Sequence, residues 1–415
     1  MLLVSPPIAG SVVRVHVIAT RSEFLTACET IAAGEGPLAI DAERASGFTY
    51  SQRVYLIQVH RRNAGTFLFD PPAIGDMSEL QNATLGCEWV LHAASQDLAC
   101  LREVGIAPSK IFDTELSARL LGLERVGLGS VVEELLGIHL KKEHSAADWS
   151  TRPLPESWLT YASLDVELLV DLRDEIEKML IEAGKLNFAY EEFEATLAKP
   201  EKAIPAEPWR RLSGLNTLRT TRQVAVAREL WLERDSIAQS RDVSPGRLIP
   251  DSAIVAAAHA TLANKPALAS LTGFNGRASR TLLDSWWAAI KRGIETTDLP
   301  AMRVRSESIP PPRSWADRRP EALDRLNEAR VALHDIAEGL QMPVENVLTP
   351  SMLREVAWAP PELIDAESIG EALSSHGARA WQVAATAERI AQAFVEAPQK
   401  VTLEPSEDSS TTTSD

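Results

Sequence analysis

Apolar residues in the first part of the chain arrive in short, strand-sized blocks, and the stretches between the later blocks carry helical spacing. Residues 15–19 read as a strand, after which Thr20 and Glu23, at capping-box spacing, open a helix that Gly34 can close. Residues 37–40, 55–59 and 66–69 are short β-rich runs that suit neighbouring strands joined by a hairpin. Two more strand candidates, 90–93 and 110–112, are each followed by a helical pattern. Strands that come first and then alternate with helices predict an α/β layer structure with a mixed sheet over residues 1–200.

Beyond that the period changes. Residues 196–208 hold Pro200, Pro205 and Pro208 and read as a connector, and from Trp209 the pattern is helical without strands. Pro310, Pro311 and Pro312 cannot continue a helix, so 298–320 reads as an extended spacer. Two all-α units follow from this, 209–297 and 320–398, and they resemble each other. Asp235 leads through Val243-Ser-Pro245 to Leu248-Ile-Pro250 in the first, and Asp335 through Met342-Pro343 to Leu348-Thr-Pro350 in the second. A duplicated helix, turn and proline-started helix accounts for both. Residues 399–415 are Ser, Thr and acidic, with little to bury, and predict a disordered tail.

At 415 residues the chain exceeds what one core organises, in keeping with several domains. Residues 1–18 are apolar but lack a basic start and contain Pro6, Pro7 and Arg14, which argues against a signal peptide. No segment approaches the roughly 18 uninterrupted apolar residues of a membrane span. The expectation is a cytoplasmic protein with no membrane partner, and a monomer. Cys28, Cys87 and Cys100 form no C-x-x-C pair, which speaks against a zinc site or disulfide framework and for small buried hydrophobes. The net charge of −16 hides a local reversal: residues 205–300 carry 13 basic against 9 acidic side chains, while the flanking regions are acidic.

Four carboxylates stand out chemically. Asp41 and Glu43 close the run 37–40, and on a strand the period of two puts both on one face. Taken alone, an exposed acidic strand end explains the pair better than a cation site does. Asp97 begins the helical pattern 96–104, where an acidic first turn also suits the helix dipole. His92, leaving a strand just before it, is assigned no catalytic role. Residues 155–183 read as one long helix in which Tyr161, Asp165, Leu168, Leu172 and Ile176 form one stripe. Asp165 then faces the apolar side and requires a cation or donor, with Tyr161 one turn away. Oxygen-only donors suit Mg²⁺ or Mn²⁺.

Three ordered motifs, Asp41-Ala-Glu43, His92-Ala-Ala-Ser-Gln-Asp97-Leu98 and Tyr161-Ala-Ser-Leu-Asp165-Val166, resemble those of the ribonuclease D family, in the tyrosine-bearing branch of the DEDD exonuclease superfamily. Tyr55-Leu-Ile-Gln58, Asp113-Thr114 and Asp148-Trp-Ser-Thr-Arg-Pro-Leu154 are similar to the family as well. The helical units resemble the helicase-and-RNase-D C-terminal (HRDC) domain, a small nucleic-acid-binding module. The resemblance implies a ribonuclease H-like mixed sheet flanked by helices and followed by two small all-α domains. It implies a metal-dependent 3′-5′ exoribonuclease that trims RNA 3′ ends, precursor tRNA among them, and releases nucleoside 5′-monophosphates. Asp41, Glu43 and Asp165 would hold one divalent ion, and Asp41 with Asp97 a second, while Tyr161 orients the attacking water. Arg210, Arg211, Arg277, Arg280, Lys291 and Arg292 of the positive segment are the candidates for RNA contact. Where family members often have an aromatic residue, this chain has Arg44, which moves the expected grip on the terminal nucleotide to Phe48 or Tyr50. A DNA exonuclease of the same fold and a non-catalytic RNA-binding protein are the alternatives.

Overall fold

The computed structural model describes residues 16–140, 146–200, 203, 205–260, 262–303 and 309–397. The expectations for the extreme N-terminus and for the tail 399–415 fall outside the described residues. The chain divides into two compact units: residues up to Leu116 with Gly127–Lys178 and Thr196–Arg305, and Ser117–Val126 with Met179–Ala195 and residues from Ser306 onward.

In the first unit, strands β1 (Val17–Ile18), β2 (Glu35–Arg44), β3 (Val54–Arg62), β4 (Gly65–Phe69), β5 (Glu88–Leu91) and β6 (Lys110–Asp113) form one sheet in the order β1-β4-β3-β2-β5-β6. The β2–β3 and β3–β4 pairs are antiparallel and the others parallel, which makes the sheet mixed, as the strand and helix alternation predicts. The centre of the sheet is covered on both faces. Leu38, Ala39 and Ile40 of β2 and residues 54–59 of β3 are buried without alternation, the reason those runs read as continuously apolar. The hairpin between β3 and β4 turns through Asn63 and Gly65, both at positive φ, a conformation that these two residue types accept at low cost.

The first helix, Arg21–Ala32, is capped by Thr20, whose hydroxyl oxygen accepts from the Glu23 N–H at 3.4 Å. It buries Phe24 edge-on against Phe69 of β4. Residues 155–183 depart from the expected single helix. They form two, Glu156–Glu167 and Leu169–Glu182, separated at Leu168. The second segment is tethered independently: Arg62 donates to Asp171 and Asp174 at 2.6 and 2.7 Å, and Arg173 to Glu88 at 2.8 Å. A one-residue break keeps the phase of the apolar stripe, so periodicity alone cannot show it. Cys28, Cys87 and Cys100 are all free thiols; Cys28 and Cys100 are buried as expected, whereas Cys87 is half-buried. No described helix is long and apolar enough to cross a membrane.

The helical part of the first unit is built on Thr221–Arg241, which opens with a capping box between Thr220 and Gln223 and ends at Asp242 in the left-handed region. Pro245–Leu248, Asp251–His259 and Leu283–Glu295 follow. Gly293 lets the last of these lie directly on the first: a Cβ there would come within 2.5 Å of the Val226 Cα. The second unit repeats the series with Pro320–Leu340, Val344–Val347 and Pro350–Trp358, of 21, 4 and 9 residues like their counterparts. Its long helix also ends on a left-handed residue, Gln341.

Candidate active site

Asp41 lies opposite Gln58 in the β2–β3 pair, so the two side chains share one face of the sheet, and Glu43 stands two residues on along the same face. The helix Glu156–Glu167 contacts β2, β3 and β4, and places Tyr161 and Asp165 one turn apart, with Leu169 beyond. Asp97 arrives by a different route. After β5 the chain turns through Ala93, left-handed at φ 65°, and a 3₁₀ turn Ala94–Gln96; Asp97 then starts the helix Leu98–Glu103 without capping it through its side chain. The helix-start explanation therefore covers its position, not its carboxylate.

One cavity of about 510 Å³ is lined by Asp41, Glu43, Asp97, Tyr161 and Asp165, together with Arg44, Ser46 and His92. Carboxylate oxygens of Asp41, Glu43 and Asp165 lie within 4.8 Å of one another, close enough to share one cation. Asp97 lines the same cavity outside that trio. Withdrawn from solvent in the cavity wall and crowded together, these groups hold their protons well above the usual carboxylate range. Burial, followed by the charges of Asp41, Asp165 and Asp97, pushes Glu43 up to about 10. Burial and then Asp41 raise Asp97 to about 8 and Asp165 to about 7, and a hydrogen bond from the Tyr161 hydroxyl partly offsets the rise at Asp165. Asp41 is raised by burial, against the Ala42 backbone and Arg44. Tyr161 too is raised, by burial and by Asp165. Like charges this close cannot all ionise without a counter-charge, and an all-oxygen set fits a hard divalent cation.

Several residues that the sequence reading placed in family-like stretches but gave no role support this arrangement. Asp113, at the end of β6, is buried and accepts four backbone N–H groups: Ala93, Glu115 and Leu116 on Oδ1 at 3.0, 3.0 and 3.1 Å, and Ala94 on Oδ2 at 2.8 Å. It thereby fixes the turn that delivers Asp97. An acidic residue closing a strand just before a helix is the signal that could have found it. Next to it, the Thr114 hydroxyl donates to the Leu91 carbonyl at 3.1 Å and lies 2.9 Å from His92 Nδ1. Arg152 donates to Asp70 at 2.6 Å and to the Tyr55 carbonyl at 2.9 Å, holding the segment that carries the buried Trp149 beside Tyr161.

Phe48 and Tyr50 do not face the cavity. The Arg247 guanidinium covers the Phe48 ring at 4.1 Å, and the Tyr50 hydroxyl donates to Asp235 at 3.1 Å. Tyr50 is committed to the helical part of the unit, where its ring packs and its hydroxyl bonds, while Phe48 packs against the cluster around Trp149 and is covered from the helical side by Arg247. Of the six basic candidates, Arg210 pairs with Glu207 at 2.6 Å and Arg292 with Glu233 at 2.7 Å, while Arg211, Arg277, Arg280 and Lys291 are exposed.

Residues 15–181 match the family model described as 3'-5' exonuclease, residues 223–290 the HRDC domain, and residues 308–394 the 3' to 5' exonuclease C-terminal domain. A ribonuclease D from Jannaschia sp. is 29% identical over 358 residues, covering 82% of this chain and 88% of that protein. A solved protein from Bifidobacterium adolescentis superposes with a TM-score of 0.83 at 36% identity, covering 91% of this chain and 96% of the other. The structure of Escherichia coli RNase D, described as an exoribonuclease involved in structured RNA processing, superposes with a TM-score of 0.65 at 25% identity, over 87% of this chain and 97% of the other.

Proposed function

The chain belongs to the ribonuclease D family of 3′-5′ exoribonucleases, and from that premise we propose how this site works and on what. The protein removes nucleoside 5′-monophosphates one at a time from RNA 3′ ends, with precursor tRNA among the substrates, using two divalent cations, Mg²⁺ or Mn²⁺. The observation that carries this reading is the meeting of Asp41, Glu43 and Asp165 oxygens within 4.8 Å in a cavity that Asp97 and Tyr161 also line. The similarity to an exoribonuclease that processes structured RNA supports the choice of substrate.

Asp41, Glu43 and Asp165 would hold one cation and Asp41 with Asp97 the other. When bound, the pair supplies an activated water and charge stabilisation for in-line attack on phosphorus. Tyr161, hydrogen-bonded to Asp165, orients that water; its raised pKa keeps the phenol proton in place, so it acts by positioning more than by deprotonation. Exposed Arg211, Arg277, Arg280 and Lys291 draw in the phosphate backbone, joined by Arg210 and Arg292 where their carboxylate partners leave donors free. The working division is an exonuclease domain over 1–200, an HRDC domain over 209–297 and an HRDC-like domain over 320–398. The protein acts as a monomer in the cytoplasm, and its free thiols suit a reducing compartment.

Incubation of the full chain with Mn²⁺ and a 3′-extended precursor tRNA should give stepwise shortening and mononucleotide products, while a DNA of matched sequence is cut more slowly. Asp41→Ala should lower the rate by at least roughly a thousandfold. Faster cutting of the DNA would replace the RNA reading by a DNA exonuclease, and metal-dependent binding without cleavage would leave an RNA-binding protein.

A further inference from the structure

The loop 45–53 joins β2 to β3 and begins two residues after Glu43. Its inner end belongs to the cavity: Ala45 is buried, Ser46 lines the wall, and the Ala45 carbonyl accepts from Phe48 and Thr49 at 3.0 and 3.1 Å. Its outer side is gripped by the helical part of the same unit. Asp242 accepts from the Ser51 N–H at 2.8 Å and from the Ser51 hydroxyl at 3.1 Å, and lies 3.5 Å from Arg53. Arg247 donates to the Gly47 carbonyl at 2.9 Å while covering Phe48, and the Ser244 N–H donates to the Phe48 carbonyl at 2.9 Å. With Tyr50 on Asp235, every residue from Gly47 to Ser51 except Thr49 is held from outside.

Asp242 has two tasks at one position. It ends the helix Thr221–Arg241 in the left-handed region, at φ 46° and ψ 49°, a conformation that Asp tolerates better than most residues. The duplicated position in the second unit, Gln341, keeps the left-handed cap but has no carboxylate. A short acid is therefore not what the helix end requires. It is what the loop requires.

We propose that the Asp242–Arg247 turn is a latch that positions the 45–53 loop beside Glu43, so that this turn of the first helical module shapes the seat of the RNA terminus through the loop and not by touching RNA itself. Asp242, Arg247 and Asp235 are positioning residues on this account. The inference rests on the exonuclease reading for its kinetic consequence but not for its structural one, and the test separates the two.

Asp242→Gly keeps the left-handed cap and removes the carboxylate, and Asp242→Asn keeps an acceptor for Ser51. On a trinucleotide, too short to extend far beyond the cavity, Asp242→Gly and Arg247→Ala should raise KM roughly tenfold with little change in kcat. Asp242→Asn should restore most of the loss. Mn²⁺ affinity, measured by calorimetry, should be the same in all of them. Amide hydrogen exchange across 46–52 should quicken roughly tenfold in Asp242→Gly and remain near wild type in Asp242→Asn. Unchanged exchange in Asp242→Gly, or an unchanged KM beside faster exchange, would overturn the latch. If the wild type cleaves nothing, the exonuclease reading fails and exchange alone decides whether the latch exists.

Discussion

Asp41, Glu43, Asp97 and Asp165 each have a mild local explanation, and their chemistry emerges only where burial and mutual repulsion act together. In the metal-free protein Asp165 at about 7 and Asp97 at about 8 retain protons that an unfolded chain gives up near 4. Folded values above unfolded ones mean that their contribution to stability is fully present at low pH and is lost as pH rises through 7 and 8. Without metal, the melting temperature should therefore fall from about pH 4 to about pH 8 more steeply in wild type than in Asp97→Asn. A cation must displace the same protons, so Mn²⁺ affinity should climb over this range, with proton release visible by calorimetry in buffers of different ionisation heat. An affinity independent of pH would contradict the protonation assigned here. Tyr161→Phe removes the hydroxyl that bonds Asp165; kcat should drop roughly a hundredfold with Mn²⁺ binding little changed.

At the scale of elements, the site depends on three pieces that meet in the same place: the C-terminal end of β2, the turn after β5 and the helix Glu156–Glu167. The turn is the least self-sufficient, since Ala93 sits in a left-handed conformation that costs an alanine about 1 kcal/mol. Asp113 offsets this by accepting four N–H groups, so Asp113→Ala should cost about 3 kcal/mol in urea unfolding and lower kcat, with Asp113→Asn milder on both counts. Much of this was legible in the sequence. The β-rich runs fell on β2 to β6, Thr20 caps its helix, and period two alone put Asp41 and Glu43 on one face. The rest depends on partners distant in sequence. Asp113 looks like an ordinary strand end until Ala93 is beside it, and Phe48 and Tyr50 look available until Arg247 and Asp235 cover them. The break at Leu168 leaves the apolar stripe in phase and is invisible to it.

For the whole molecule, a net charge of −16 with a positive segment over 205–300 fits the proposed division of two tasks, in which carboxylates would concentrate divalent cations and cations elsewhere would receive phosphate. Exposed Arg277 and Arg280 are then expected to contribute to affinity through counterion release. Replacing both with Ala should weaken RNA binding uniformly across sequences and flatten the salt dependence by about two in slope, as read from fluorescence anisotropy over a salt series. An unchanged slope would remove them from the RNA path. Everything else stands on the cation site, which diffraction can test directly. Crystals soaked in Mn²⁺ and measured at the manganese edge should show an anomalous peak roughly 2.1 Å from oxygens of Asp41, Glu43 and Asp165, and that peak should vanish in Asp165→Ala. A cavity without a peak at saturating Mn²⁺, or a peak that survives Asp165→Ala unchanged, would contradict the account.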